Sequence, residues 1–204
     1  SCSEKQPETS EPMITKTEIQ VENGHFTPEI MHRLGKVGDV QVSPNHAKIL
    51  YGVTYTSIEQ NKGNRELYLM NVDGSENVKI TNTPKSESNA RWLNDSQIIY
   101  MRSGKLYTAT IEGSTLKNET EVAGAEGMES FELSPAGDKL MFIKSVKAAQ
   151  KPTDVYADLD KSSGRTYTDL MYRHWDHFVE EVPHTYVATF DGKQVSGITD
   201  ILAG

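Results

Sequence analysis

The sequence predicts an all-β protein of β-propeller blades: about three four-stranded antiparallel blades in an incomplete ring, with a helical insertion in the third. Two recurring landmarks and one spacing carry this reading. The first landmark is ELYLMNVDGS (66–75), KLYTATIEGS (105–114) and HTYVATFDGK (184–193). Each copy has Tyr at its third position (Tyr68, Tyr107, Tyr186) and an apolar residue at its seventh (Val72, Ile111, Phe190). An acidic residue and Gly follow, so alternation runs into a hairpin turn. The second landmark lies upstream: DVQVSPNHAKILYGV (39–53), NARWLNDSQIIYMRS (89–103) and SFELSPAGDKLMFIK (130–144). There a short strand meets a Ser-Pro or Asn-Asp turn and then an apolar strand; Pro44 and Pro135 pre-set the turn φ. Two landmarks in one order at blade-like period define four-stranded units.

The elements follow in chain order. Residues 1–25, Ser/Pro/Glu-rich at their start, read as a flexible tether, and residues 26–204 as the partial propeller. The blades are expected at about 39–81, 89–122 and 128–202. Tyr68 to Tyr107 is 39 residues, but Tyr107 to Tyr186 is 79. Phe142 to Tyr186 spans 44 residues where Tyr100 to Tyr107 spans 7, an excess of about 37. The excess is an insertion at about 147–183, between the second and third strands of the third blade. Typical propellers have 4–8 blades, so three blades leave the ring open and the chain reads as the front part of a longer protein.

Bulk properties exclude several classes. The 204 residues are 36% apolar and 25% charged, with net charge -8 and pI about 5.3. A chain this acidic repels phosphate backbones, which argues against nucleic-acid partners. No apolar run approaches the ~20 residues of a membrane helix. The single cysteine, Cys2, permits no internal disulfide. Cys2 follows a small residue and precedes a polar run, which resembles the processed end of a bacterial lipoprotein. On that reading Cys2 carries lipid, the lipid is the only membrane contact, and the protein is exported, periplasmic or outer-membrane-associated.

The stretch FTPEIMHRLGKVGDVQVSPNHAKILYGVTYTSIEQNKGNRELYLMNVDGS (26–75) resembles the opening of prolyl oligopeptidase-family serine peptidases. The similarity is to the bacterial dipeptidyl-peptidase and acylaminoacyl-peptidase branch, and TDVYADLDKSSGRTYTDLMYRHWDHF (153–178) also looks like a segment of it. The resemblance implies an N-terminal propeller that gates and positions short peptides for a C-terminal α/β-hydrolase domain holding the serine, aspartate and histidine. This chain contains no Gly-x-Ser-x-Gly, so no catalytic residue is assigned within it and the chain alone is expected to be inactive. No cofactor is implied. A non-enzymatic TolB-like propeller binding protein or glycan partners is the rival reading, and a homo-oligomer completing the ring is a third.

Within the insertion, Leu170, Met171, His174, Trp175, Phe178 and Val179 form an amphipathic helix stripe over 169–181, capped by Thr168 and stopped by Pro183. Arg173, Asp176, His177 and Glu180 fall on the other face. His174 and His177 match no zinc spacing, so no metal site is assigned. Glu180 and Glu181 are candidate substrate-binding residues. In dipeptidyl peptidases, a glutamate pair on a propeller excursion binds the substrate's free α-amine; two carboxylates on one ammonium would count residues to the scissile bond. Arg173 is a candidate contact for a peptide carboxylate or carbonyl.

Overall fold

A computed structural model describes residues 13–148, 150–164 and 179–203. The chain divides after Val122 into two compact units. Residues 13–25, within the expected tether, hold no helix or strand, although Ile14 is buried. Helix α1 (Pro28–Arg33) follows, with Pro28 in its first turn and Thr27 as cap, its Oγ1 accepting from the Ile30 amide.

The first unit holds two four-stranded antiparallel meanders. One is β1 (Lys36–Val42), β2 (Lys48–Ser57), β3 (Lys62–Asn71) and β4 (Val78–Lys79); the other is β5 (Glu87–Trp92), β6 (Gln97–Arg102), β7 (Lys105–Glu112) and β8 (Thr115–Glu121). The turn after β1 forms because Ser43 Oγ accepts from the Ala47 and Lys48 amides. After β5 the Asn94 carboxamide takes the same place, accepting from Ser96 and Gln97. The Asp73-Gly74 and Glu112-Gly113 hairpins put glycine at φ 86° and 61°, the left-handed region that favours it. Alternation along β2, β3, β6 and β7 sends Leu50, Leu67 and Leu69 into one core with Ala90, Ile98, Tyr100, Ala109 and Ile111. Each large aliphatic side chain there contributes about 1.5–3 kcal/mol by leaving water.

Both innermost strands are bulged at a left-handed polar residue, Asp39 (φ 51°) in β1 and Asn89 (φ 53°) in β5. Asp39 Oδ2 accepts from Arg65 Nη2 at 2.9 Å and from the Asn89 amide at 3.3 Å, joining the two sheets.

The second unit is one meander: β9 (Ser130–Leu133), β10 (Lys139–Lys147), then, after α2 (Pro152–Val155), β11 (Glu181–Phe190) and β12 (Val195–Asp200), in the order β12-β11-β10-β9. The extra chain thus leaves between the second and third strands of the third sheet. The β10–β11 ladder runs unbroken from Lys139↔Thr189 to Lys147↔Glu181.

The tyrosine repeat is a packing repeat. Tyr51 stacks on Tyr68, Tyr100 on Tyr107 and Phe142 on Tyr186, with centroids 5.6, 6.0 and 5.2 Å apart, each pair directly opposite across the middle strands. Such pairs contribute about 0.5–1.5 kcal/mol beyond area burial. The apolar seventh position is less uniform. Ile111 and Phe190 are buried, but Val72 lies past the end of β3 and is 52% exposed.

Candidate functional site

The insertion leaves β10 and rejoins β11 at a stem held by charge. Beyond Lys147↔Glu181 the ladder gains one bond, the Ala148 amide donating to the Glu180 carbonyl at 2.8 Å. Lys147 Nζ lies 2.5 Å from Asp154 Oδ2, which also accepts from the Lys151 amide at 2.7 Å and so caps α2. Lys147 first, then the Lys151 amide, holds the Asp154 carboxyl below the usual range. Lys151 Nζ in turn lies 3.1 Å from Glu180 Oε2.

This geometry corrects the end of the expected helix. Glu181 opens β11, and Pro183 sits within the strand opposite Ser145. Proline is tolerated there because β12 reaches only Tyr186, leaving one edge of β11 unpaired at residue 183. Val179 fits either a helix stripe or the approach to a strand, so periodicity alone does not place the end of the helix. Glu180 and Glu181 are neighbours on a paired backbone, so their side chains project to opposite faces. Glu180 already holds an ammonium, that of Lys151, while Glu181 is exposed. Arg173 and the rest of the expected helix through Phe178, as well as Cys2, lie outside the described residues. Among the described residues, no group of His, Cys, Asp and Glu is placed to hold a metal ion. Three residues along β11, His184 Nδ1 lies 2.7 Å from Asp200 Oδ2 on β12. That contact, more than any other, depresses the Asp200 carboxyl.

A second polar constellation escaped sequence reasoning. Arg102, at the end of β6, gives Nε to Glu87 Oε1 at 2.7 Å and Nη1 and Nη2 to the two Glu119 oxygens at 2.9 and 2.8 Å. Its guanidinium lies 4.8 Å from the Tyr107 centroid, and the Tyr100 hydroxyl donates to Glu119. Arg102, then Tyr100, hold the Glu119 carboxyl down by hydrogen bonding, while burial, then Glu119, drive Tyr100 up. Glu66 on β3 accepts from Asn64 Nδ2 (3.1 Å), the Thr83 amide (3.0 Å) and Thr81 Oγ1 (2.6 Å). The available signal was a charge in an apolar strand pattern, Glu66 before LYLM and Arg102 after IIYM.

No protein-family model matches the chain. Two curated proteins do, both named dipeptidyl-peptidase 5. The Porphyromonas gingivalis protein is 33% identical over 183 residues, covering 88% of this chain; that of Porphyromonas endodontalis is 32% identical over 193 residues, covering 92%. The chain is thus similar to these dipeptidyl-peptidases over about nine-tenths of its own length. It spans only about a quarter of the relatives' length, 27% and 28% respectively. Among solved structures, Pyrococcus horikoshii acylaminoacyl peptidase matches with a TM-score of 0.58 at 17% identity, covering 83% of this chain and 25% of that one. An acylaminoacyl peptidase in complex with Z-Gly-Gly-Phe-chloromethyl ketone matches with the same score at 15% identity. These two likenesses support the blade fold alone.

Proposed function

We propose that this segment gates and positions short peptides for an α/β-hydrolase domain carried elsewhere in the complete protein, a secreted serine exopeptidase of dipeptidyl- or acylaminoacyl-peptidase type. The observation that carries the reading is 33% identity to a dipeptidyl-peptidase over 88% of this chain. A wall of blades beside a hydrolytic site excludes folded substrates by size and holds a short peptide in register. The test compares the complete protein on a five-residue peptide and on a folded protein carrying the same N-terminal residues. Cleavage of the peptide alone supports gating, and equal cleavage of both removes it.

Glu180, Glu181 and Arg173 are the proposed peptide contacts of the insertion. The Lys151–Glu180 contact supports Glu180 as an ammonium acceptor. An exposed pair of this kind is worth only about 0–1 kcal/mol, so a peptide α-amine displaces the lysine at little cost. Because strand alternation separates the two carboxylates, each is tested singly. Glu180→Gln is expected to raise KM for free-amine dipeptide substrates and to leave N-acylated ones unchanged; an unchanged KM removes it from the site. Cys2 is the proposed lipid attachment point, checked by the mass of the N-terminal peptide isolated from its bacterial host.

A further inference from the structure

Glu87, the first residue of β5, is 0% exposed. Its Oε1 accepts from Arg102 Nε and Thr83 Oγ1, each at 2.7 Å, but Oε2 is buried with no hydrogen-bond partner. The donors nearby are directed elsewhere. Both terminal nitrogens of Arg102 donate to Glu119, and Nη2 also lies 3.4 Å from the Tyr100 hydroxyl. The one Thr83 hydroxyl proton has two acceptors at 2.7 Å, Glu87 Oε1 and the Lys85 carbonyl, and can serve only one. Glu66, by contrast, has donors on both oxygens. An ionised Glu87 therefore leaves one charged oxygen buried without a partner, and burying unpaired charge is costly.

We propose that Glu87 is a buried proton-binding site that sets how firmly the first two sheets are joined, the joint tightening when the carboxyl is neutral and loosening when it ionises. The charged and titratable groups around it favour this. Glu66 faces it from β3, Arg102 and Tyr100 from β6, and Glu119 from β8 behind Arg102. Asp39 of β1 and Arg65 of β3 are bonded to each other beside Asn89. From β2, Tyr51 bonds Asn77 and Lys48 bonds Asn71, and Lys85 is exposed in the preceding connection. Two carboxylates thus oppose the charge on Glu87, and one guanidinium, already shared, supports it. Burial pushes the carboxyl up and Glu66 adds to the rise; Thr83 and Arg102 offset only part of it.

The residues that respond are those of the β4–β5 connection. The Ile80 amide donates to the Leu67 carbonyl at 2.9 Å, Thr81 Oγ1 accepts from the Leu67 amide at 2.8 Å, and Thr83 bonds both glutamates. A carboxyl whose folded pKa is raised binds its proton more tightly in the folded state. Its contribution is full below the unfolded value, about 4.3, and is lost as pH rises through the folded value.

Two measurements on the full chain test this. In a titration of 13C-labelled glutamate side chains from pH 3 upward, Glu87 is expected to lose its proton last among the glutamates. Amide-exchange protection factors at residues 80–87 are expected to fall across the same pH step, and to stay level there in Glu87→Gln. Titration of Glu87 together with the exposed glutamates overturns the proposal, as do parallel protection profiles in the two proteins. If Glu87→Gln does not fold, the wild-type titration decides alone.

Discussion

Arg102→Met tests the polar joint most sharply, because methionine keeps an unbranched stem and removes only the guanidinium. Its contacts with Glu87, Glu119, Tyr100 and Tyr107 are lost. The Glu119 pair involves a carboxylate that is 36% exposed and contributes at most about 1 kcal/mol. The position over Tyr107 contributes about 0.5–1 kcal/mol, and burial of the methionine stem offsets part of it. The Glu87 pair dominates: its carboxylate is fully buried, and removing one partner of a buried pair costs up to about 3–5 kcal/mol, less where the stranded carboxyl takes up a proton. The sum is about 3–7 kcal/mol at most, against a whole-domain stability of about 5–15 kcal/mol. Trp92, whose Nε1 donates to the Gln41 carbonyl, reports on the first unit in a Trp175→Phe background. Urea unfolding at pH 7.5 should show that loss, and Arg102→Met/Glu87→Gln should recover about half, because glutamine leaves no stranded charge. A single-variant cost below about 1 kcal/mol would refute the assignment of a buried ion pair.

Other substitutions follow from the same geometry. A Cβ at Gly52 would stand 2.5 Å from Arg65 Nη2 and 2.6 Å from Cζ, so Gly52→Ala displaces the guanidinium and weakens its partly exposed pair with Asp39; a loss of up to about 1 kcal/mol is expected in urea unfolding. The Asp200 carboxyl is depressed mainly by His184, so its contribution is present above its unfolded pKa of about 3.9 and is lost as pH falls through the folded value. Asp200→Asn should therefore lower the second unit's stability at neutral pH, where the contribution is present, and flatten the acid limb of its stability curve. Replacing residues 149–179 by a short Gly/Ser turn should keep the β10–β11 cross-strand contacts in NMR spectra, because that ladder is complete without them.

Much of the fold was legible because turns and strands leave local signatures. Asp73-Gly74 and Asp191-Gly192 announce hairpins, Ser43 and Ser134 announce the inner turns, and tyrosines at fixed offsets mark facing middle strands. The displacement of Tyr186 located the insertion by arithmetic, since a strand that must pair with Phe142 can be delayed but not omitted. Where two periodicities overlap, the reading failed: residues 179–183 satisfy a helix stripe and a strand equally, and only the cross-strand partner on β10 decides. Val72 shows another limit, since its place in the repeat did not say that β3 would end one residue earlier. The Glu87–Arg102–Glu119 network was invisible for a different reason. Its members lie on β5, β6 and β8, and no local spacing reveals which charges a meander folds together.

These blades are proposed to serve an exopeptidase. The most direct test is the product pattern of the complete protein on an unblocked ten-residue peptide, followed by mass spectrometry over time. Successive release of dipeptides from the N-terminus is expected of the dipeptidyl type, and release of one blocked residue from the N-acylated form of the peptide of the acylaminoacyl type, either one abolished by a serine-directed phosphonate. Internal cleavage, or no cleavage of either form, contradicts the proposal.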